Sequence, residues 1–104
     1  MTSTLIATSE TTIFTATGAQ AVSHLTITNV ENAACTVTVY VKATAGTSAG
    51  DVNTFLAAYA MSAYESISVT KDTGPILLDN LQVITALKTG TTNKATAFVS
   101  NVAL

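Results

Sequence analysis

The chain has 104 residues, a formal net charge of −2 at pH 7 and only 10% charged residues, against about 25% in typical soluble domains. A lone Cys35 excludes an internal disulfide, and the absence of arginine disfavours nucleic-acid binding. No apolar run approaches the roughly 20 residues of a membrane-spanning helix, no secretory signal is visible, and the length predicts one domain over residues 1–104.

The residues that replace charge are small and uncharged. With 21 threonines and 17 alanines, the surface is expected to consist largely of hydroxyl and methyl groups. Such a surface offers little repulsion between copies and tends to associate. The composition therefore favours a part of an assembly, or alternatively a robust extracellular module, over a freely diffusing cytosolic enzyme.

Alternation of apolar and polar residues, typical of half-buried β-strands, dominates the first half of the chain. STLIAT and TTIFTA predict two weak strands on either side of Ser9-Glu10. SHLTITN and CTVTVYVKA predict two stronger strands, joined by VENAA, a connection of hairpin length. The alternation directs inward Leu25, Ile27, Val37, Val39 and Val41, and it places Lys42 on the outward side.

The next segment, KATAGTSAGDV, contains the pattern G-x-S-x-G around Ser48, which is the nucleophile elbow of serine hydrolases. That motif requires an acid and then a histidine later in the chain. His24, the sole histidine, precedes Ser48, and hydrolase scaffolds need a far longer chain than this one. We therefore interpret the segment as a loop of small residues.

Residues 51–64, DVNTFLAAYAMSAY, fit two structures. A helix would gather on one face Phe55, Leu56, Tyr59, Ala60 and Ala63, and alanine favours helix. A strand would instead place on one face Phe55, Ala57, Tyr59 and Met61. Because the flanking segments read as strands, we favour the strand.

The second half of the chain continues the alternation. ESISVTK predicts a strand, KDTGP a turn, ILLDNLQVI one bent strand or two short ones, LKTGTTNKA a turn, and TAFVSNVAL a final strand. Seven or eight short strands at spacings near ten residues are typical of an all-β fold. The sequence predicts a single antiparallel β-sandwich, of the jelly-roll or immunoglobulin-like kind.

The chemistry-bearing residues are too few to predict a catalytic, cofactor or metal site. The six carboxylates fall mostly in predicted turns and are expected to be solvated. His24 and Cys35 cannot complete a tetrahedral zinc site, and we expect Cys35 to behave as a small buried apolar group. Tyrosines could stack on a sugar, but they are equally explained as sheet or interface residues.

The segment HLTITNVENAACTVTVYV and the strands that follow it resemble small β-sandwich virion proteins of tailed bacteriophages. HLTITNVENAACTVTVYV is similar to that family's hairpin pattern S-x-x-x-T-N-x-x-x-x-x-x-T-V-x-V. The family's middle strand is similar to MSAYESISVT, and its closing half is similar to GPILLDNLQVITALKTGTTNKATAFVSNVAL. The likeness therefore covers residues 13–104. The chain departs from the family at Met61-Ser62-Ala63, where I-P-A or L-P-A is common, and at Asn101, where glycine is usual.

The resemblance implies a non-enzymatic virion component made in the host cytoplasm. It would be a capsid decoration or cement protein in the first place, or otherwise a neck or tail part. Its implied partners are the major capsid protein or other virion proteins, in many copies or as a homo-oligomer, without nucleic acid or membrane. The alternative is a receptor- or glycan-binding module of a tail fibre or spike. We predict a partner interface at Phe55, Tyr59 and Tyr64, because this segment holds more aromatic residues than one small core requires. The alternative is that all three belong to the core.

Overall fold

The computed structural model describes residues 2–71, 73–90 and 95–104. Nine strands lie in these ranges: β1 (Thr2–Ile6), β2 (Thr11–Thr15), β3 (Gln20–Asn29), β4 (Cys35–Lys42), β5 (Thr54–Met61), β6 (Ser66–Ser68), β7 (Ile76–Leu78), β8 (Val83–Lys88) and β9 (Ala95–Ala103). One 3₁₀ turn (Asp51–Asn53) precedes β5, and no helix in the described ranges is long and apolar enough to cross a membrane. Part of the predicted LKTGTTNKA turn, residues 91–94, lies outside the described residues.

The strands form two antiparallel sheets. One has the order β1-β9-β3-β6, with β7 also pairing with β3, and the other has the order β2-β8-β4-β5. Buried side chains from both sheets make up one hydrophobic core between them. The predicted antiparallel sandwich is therefore confirmed, with nine described strands in place of the seven or eight expected.

The predicted pairing of neighbouring strands is wrong at VENAA. β3 and β4 do not form a hairpin, because residues 30–34 carry the chain from the five-stranded to the four-stranded sheet. The buried Asn29 side chain holds this crossing: its Nδ2 donates to the carbonyls of Ala33 (2.8 Å) and Ser62 (3.0 Å), and its Oδ1 accepts from the Glu31 amide (3.2 Å). A link of this length joins strands across a core as readily as within one sheet.

Five other pairs of consecutive strands also lie in different sheets: β1–β2, β2–β3, β5–β6, β7–β8 and β8–β9. β1 pairs with β9 while β2 pairs with β8, so the first two strands also lie in different sheets. ILLDNLQVI forms two strands, β7 and β8, and the turn at residues 79–82 takes the chain between sheets. Consecutive strands here pack face to face because each buries its apolar side in the shared core.

The predicted inward residues of β3 and β4 are largely confirmed. Leu25, Ile27, Val37 and Val39 have no exposed surface, and Val41 is half-buried against the core. Full burial of alternate residues on both sheets fixes the register of each strand, because a shift by one residue would expose the whole apolar set.

The preference for strand over helix in residues 51–64 is confirmed for Thr54–Met61, but the predicted face is only partly right. In the register with β4, Met61 pairs with Cys35, Tyr59 with Val37 and Leu56 with Val39, and two irregularities interrupt the ladder. An irregularity of this kind inserts an extra residue and reverses the alternation beyond it. Leu56, rather than Ala57, therefore shares the inner face with Tyr59 and Met61.

Candidate interaction surface

The outer face of the five-stranded sheet exposes large apolar side chains. Leu5 is 57% exposed, Leu77 68%, Phe98 37% and Val102 53%. Phe98 lies beside Thr26 and Ser3 in the ladder, diagonal to Leu5, which pairs with Thr96. Val102 and Leu77 lie on either side of Ala21. We call the set Leu5, Leu77, Phe98 and Val102 the outer apolar face.

Hydroxyl-bearing residues fill the space between these apolar side chains. Thr26, Thr28 and Thr96 lie outward in β3 and β9, and Ser66 joins them from β6 through a hydroxyl contact of 2.8 Å with Thr28. His24, exposed and paired with Ser100, is the one titratable side chain that the described strands present here. The face therefore offers apolar contact and hydrogen bonding with almost no fixed charge.

A cleft lies where the two sheets end side by side. Its volume is about 440 Å³, and β5 and β6 border it from the four-stranded and five-stranded sheets respectively. Its lining consists of Leu56, Tyr59, Glu65, Ser66, Ile67, Ser68, Val69, Lys71 and Thr73. Clefts of ~300–1,000 Å³ are typical of small-ligand sites, and the lining of this one includes apolar, hydroxyl-bearing and oppositely charged residues.

Two lysines are buried, which the expectation of solvated charges did not foresee. Lys42 is 4% exposed although it lies on the outward side of β4, and its Nζ is 2.7 Å from the Glu10 carboxylate. Hydrogen bonds from Lys42 and Thr85 to this carboxylate lower the pKa of Glu10. Glu10 itself lies in the β1–β2 loop and is exposed, as predicted, and it also supplies the partner that the buried Lys42 ammonium requires.

The second buried lysine lies at the opposite end of the four-stranded sheet. Lys88 has no exposed side-chain surface, and its Nζ is 3.6 Å from a Glu31 oxygen. Cys35 is buried in the core nearby, and desolvation raises the pKa of its thiol. Cys35 is thus the small buried apolar group that was predicted, whereas Glu31 is an ion-pair partner rather than a solvated charge. Asp72 lies outside the described residues.

The three predicted interface aromatics occupy different environments. Phe55 is half-buried against the core, Tyr59 is 39% exposed and lines the cleft, and Tyr64 is 64% exposed in the turn before β6. Of the three, Tyr59 alone lines the cleft. Their contact with a partner stays a prediction.

The structure also locates Ser48, the candidate nucleophile, and the candidate metal ligands. Ser48 lies in the exposed loop between β4 and the 3₁₀ turn, and its carbonyl accepts a hydrogen bond from Asn53 Nδ2 at 3.0 Å. The interpretation of this segment as a loop is confirmed. Across the described ranges, no three His, Cys, Asp or Glu side chains gather closely enough to hold a metal ion.

The outer apolar face was missed in the sequence, although a signal for it exists. Leu5-Ile6, Leu77-Leu78 and Phe98-Val99 are adjacent apolar pairs within strands. Because successive strand residues point to opposite faces, each pair must place one apolar side chain outside. Sheet pairing then places these outward residues on one face of the sheet.

Comparison of the chain with protein-family models, curated proteins and solved structures found no match. The functional inference therefore depends on the chemistry of the surfaces themselves. Two surfaces stand out: the outer apolar face, and the cleft between β5 and β6.

Proposed function

We propose that this chain is a non-enzymatic structural protein of a bacteriophage virion, attached to the outside of the capsid as a decoration or cement protein. The outer apolar face carries this proposal, with four large side chains between 37% and 68% exposed on a sheet face almost without charge. Exposed apolar groups that cluster among polar neighbours mark interaction sites on soluble proteins.

The proposed mechanism is mechanical. Each copy lays its five-stranded sheet across a joint between coat subunits, so that opening the shell must also expose the outer apolar face to water. Burial contributes about 25 cal/mol per Å² of apolar surface, and an interface of standard size buries ~800 Å² per partner. Many copies acting together stabilise the shell even when each contact is weak.

The alternative, a receptor- or glycan-binding module, is favoured by the cleft instead. Tyr59 is 39% exposed and lines the cleft together with Ser66, Ser68 and Thr73. Aromatic faces combined with hydroxyl groups suit sugar rings. This function would use a different surface from the outer apolar face, so the two are separable by substitution.

The test is sedimentation of the purified chain with empty shells assembled from the coat protein encoded in the same genome. Leu5→Lys and Leu77→Lys each place a charge on the outer apolar face, and each is expected to weaken binding about tenfold or more, the cost of about 1.4 kcal/mol. Val30→Lys is the matched control, because Val30 is 43% exposed in the β3–β4 connection and outside this face.

The results separate the candidates. Shell binding that both face variants weaken and Val30→Lys preserves supports the cement function. Failure of the wild-type chain to bind shells, together with glycan-array binding that Tyr59→Ser abolishes, supports the alternative. Counting copies per virion by quantitative mass spectrometry adds an independent check, since hundreds of copies indicate the capsid and a few dozen or fewer indicate a fibre or tail.

A further inference from the structure

We propose that the free edge of β6 accepts an added β-strand: an extended segment of a partner protein that places an apolar side chain in the cleft and an acidic one near Lys71. If the partner is the capsid protein, this inference rests on the proposed function, and it states how a segment of the capsid protein is held. Peptide binding tests strand addition separately from binding to the capsid.

The backbone of β6 directs its free hydrogen-bonding groups away from β3. The Asn29 amide donates to the Glu65 carbonyl and the Val69 amide to the Leu25 carbonyl, both at 2.8 Å, with Ile67 paired to Ile27 between them. Alternate residues of a strand direct their amides and carbonyls to opposite sides. Ser66 and Ser68 therefore direct theirs outward, to an edge that no described strand covers.

This edge is open to an incoming strand. Of the outward groups, the Ser68 carbonyl alone has a backbone partner in the described residues, the Lys71 amide at a long 3.4 Å. Unpaired strand edges are templates for further pairing, and proteins commonly protect them. β6 is short, which limits the number of new hydrogen bonds, so side-chain contacts must supply part of the affinity.

The cleft supplies those contacts. A residue placed opposite Ile67 on an added antiparallel strand would share the inner face of the sheet with Ile67. That side chain would enter the cleft, toward Leu56 of the facing sheet and Val69, which is buried. Strand addition typically combines backbone pairing for affinity with pockets for alternate side chains for specificity, and β6 with its cleft presents both.

The charges at the cleft give the added strand a direction. Lys71 is exposed and has no carboxylate partner among the described residues, in contrast to Lys42 and Lys88. Glu65, which also lines the cleft, precedes β6, and Lys71 follows it. An antiparallel strand passes Lys71 first and Glu65 last, so charge complementarity favours an acidic residue at its beginning and a basic one at its end.

The experiment uses the full chain and capped synthetic peptides of nine residues, with a central leucine, flanking threonines and one charge near each end. One peptide has Asp first and Lys last, and a second has the charges reversed. Binding is followed by NMR titration of the amides of Ser66 and Ser68. The acid-first peptide is expected to bind about threefold or more tightly than the reversed peptide, and Lys71→Gln is expected to remove this difference.

Two substitutions of Ser68 differ in whether the outward backbone N–H of residue 68 is kept. Ser68→Pro removes the outward N–H and leaves the Ile67–Ile27 pairing, because proline is tolerated where the N–H faces solvent. Ser68→Ala is the matched control, since it removes the same hydroxyl and keeps the N–H. We expect Ser68→Pro to weaken binding of the acid-first peptide about tenfold and Ser68→Ala to leave it nearly unchanged, while both variants melt cooperatively.

Each outcome either supports strand addition or overturns it. Loss of binding in Ser68→Pro alone supports strand addition, whether or not the chain binds shells. The proposal is overturned by equal binding to all three proteins, by no binding to either peptide at millimolar concentration, or by peptide-independent dimerisation that Ser68→Pro abolishes. Shell binding that survives Ser68→Pro also overturns the capsid segment as occupant, and leaves the cement function standing.

Discussion

Replacing Glu10 with glutamine changes the charge opposite Lys42 and nearly preserves the shape of the side chain. In the native structure one carboxylate oxygen of Glu10 meets both the Lys42 ammonium, at 2.7 Å, and the Thr85 hydroxyl. A glutamine oxygen can still accept a hydrogen bond from one of them. The variant therefore measures what the negative charge contributes to holding a buried cation.

The magnitude follows from the exposure of the two partners. Breaking a fully buried ion pair costs about 3–5 kcal/mol, because the remaining charge has no compensation. Lys42 is 4% exposed, but Glu10 is 31% exposed, so water reaches this pair from the Glu10 side. We expect Glu10→Gln to lower the free energy of unfolding by about 2 kcal/mol, and the melting temperature by about 8 °C at this chain length.

The effect must also depend on pH. Because the pKa of Glu10 is lowered in the folded protein, the unfolded chain binds a proton more readily, and stability falls as the pH falls. The contribution is fully present above the unfolded value, about 4.3 for glutamate, and disappears as the pH drops through the lower folded value. The difference between wild type and Glu10→Gln should therefore shrink as the pH falls below about 4.3.

Urea denaturation at a series of pH values gives this difference directly. Asp79→Asn is the control: Asp79 is exposed in the turn after β7, and its replacement should change stability by less than about 0.5 kcal/mol. A Glu10→Gln effect of equal size near neutral pH and well below the folded pKa would refute the reasoning, because a contribution of shape rather than charge does not titrate.

Three further predictions concern the core, the loop and the attachment. Val39→Ala should destabilise the protein by about 1–3 kcal/mol, since Val39 is fully buried, and an unchanged midpoint in urea would contradict the register of β4. Ser48→Ala should change stability by less than about 0.5 kcal/mol, and labelling of Ser48 by a fluorophosphonate probe would show that its loop carries chemistry. Particles washed in about 1 M salt, where the Debye length is near 3 Å, should retain the protein; its complete release from intact shells would mean that attachment is electrostatic.

The strands were predictable from sequence where alternation was strong. In β3 and β4, threonine alternates with valine, leucine or isoleucine, so period two fixed both the strand and its buried side before any partner was known. In β5 the same rule predicted the strand and the inward Tyr59 and Met61, but it wrongly placed Ala57 with them in preference to Leu56. The two irregularities opposite β4 arise from the pairing of β5 with β4. They cannot be predicted from the sequence of β5 alone.

The sequence by itself determined an all-β chain with little charge, because composition and local periodicity are properties of the chain alone. Tertiary structure alone decided which sheet each strand joins, since Asn29 and the short connections serve a crossing as well as a hairpin. It also decided that Lys42 meets Glu10, and that β5 and β6 end side by side to form the cleft. These features join residues far apart in sequence, and their energies exist only once the two sheets have packed.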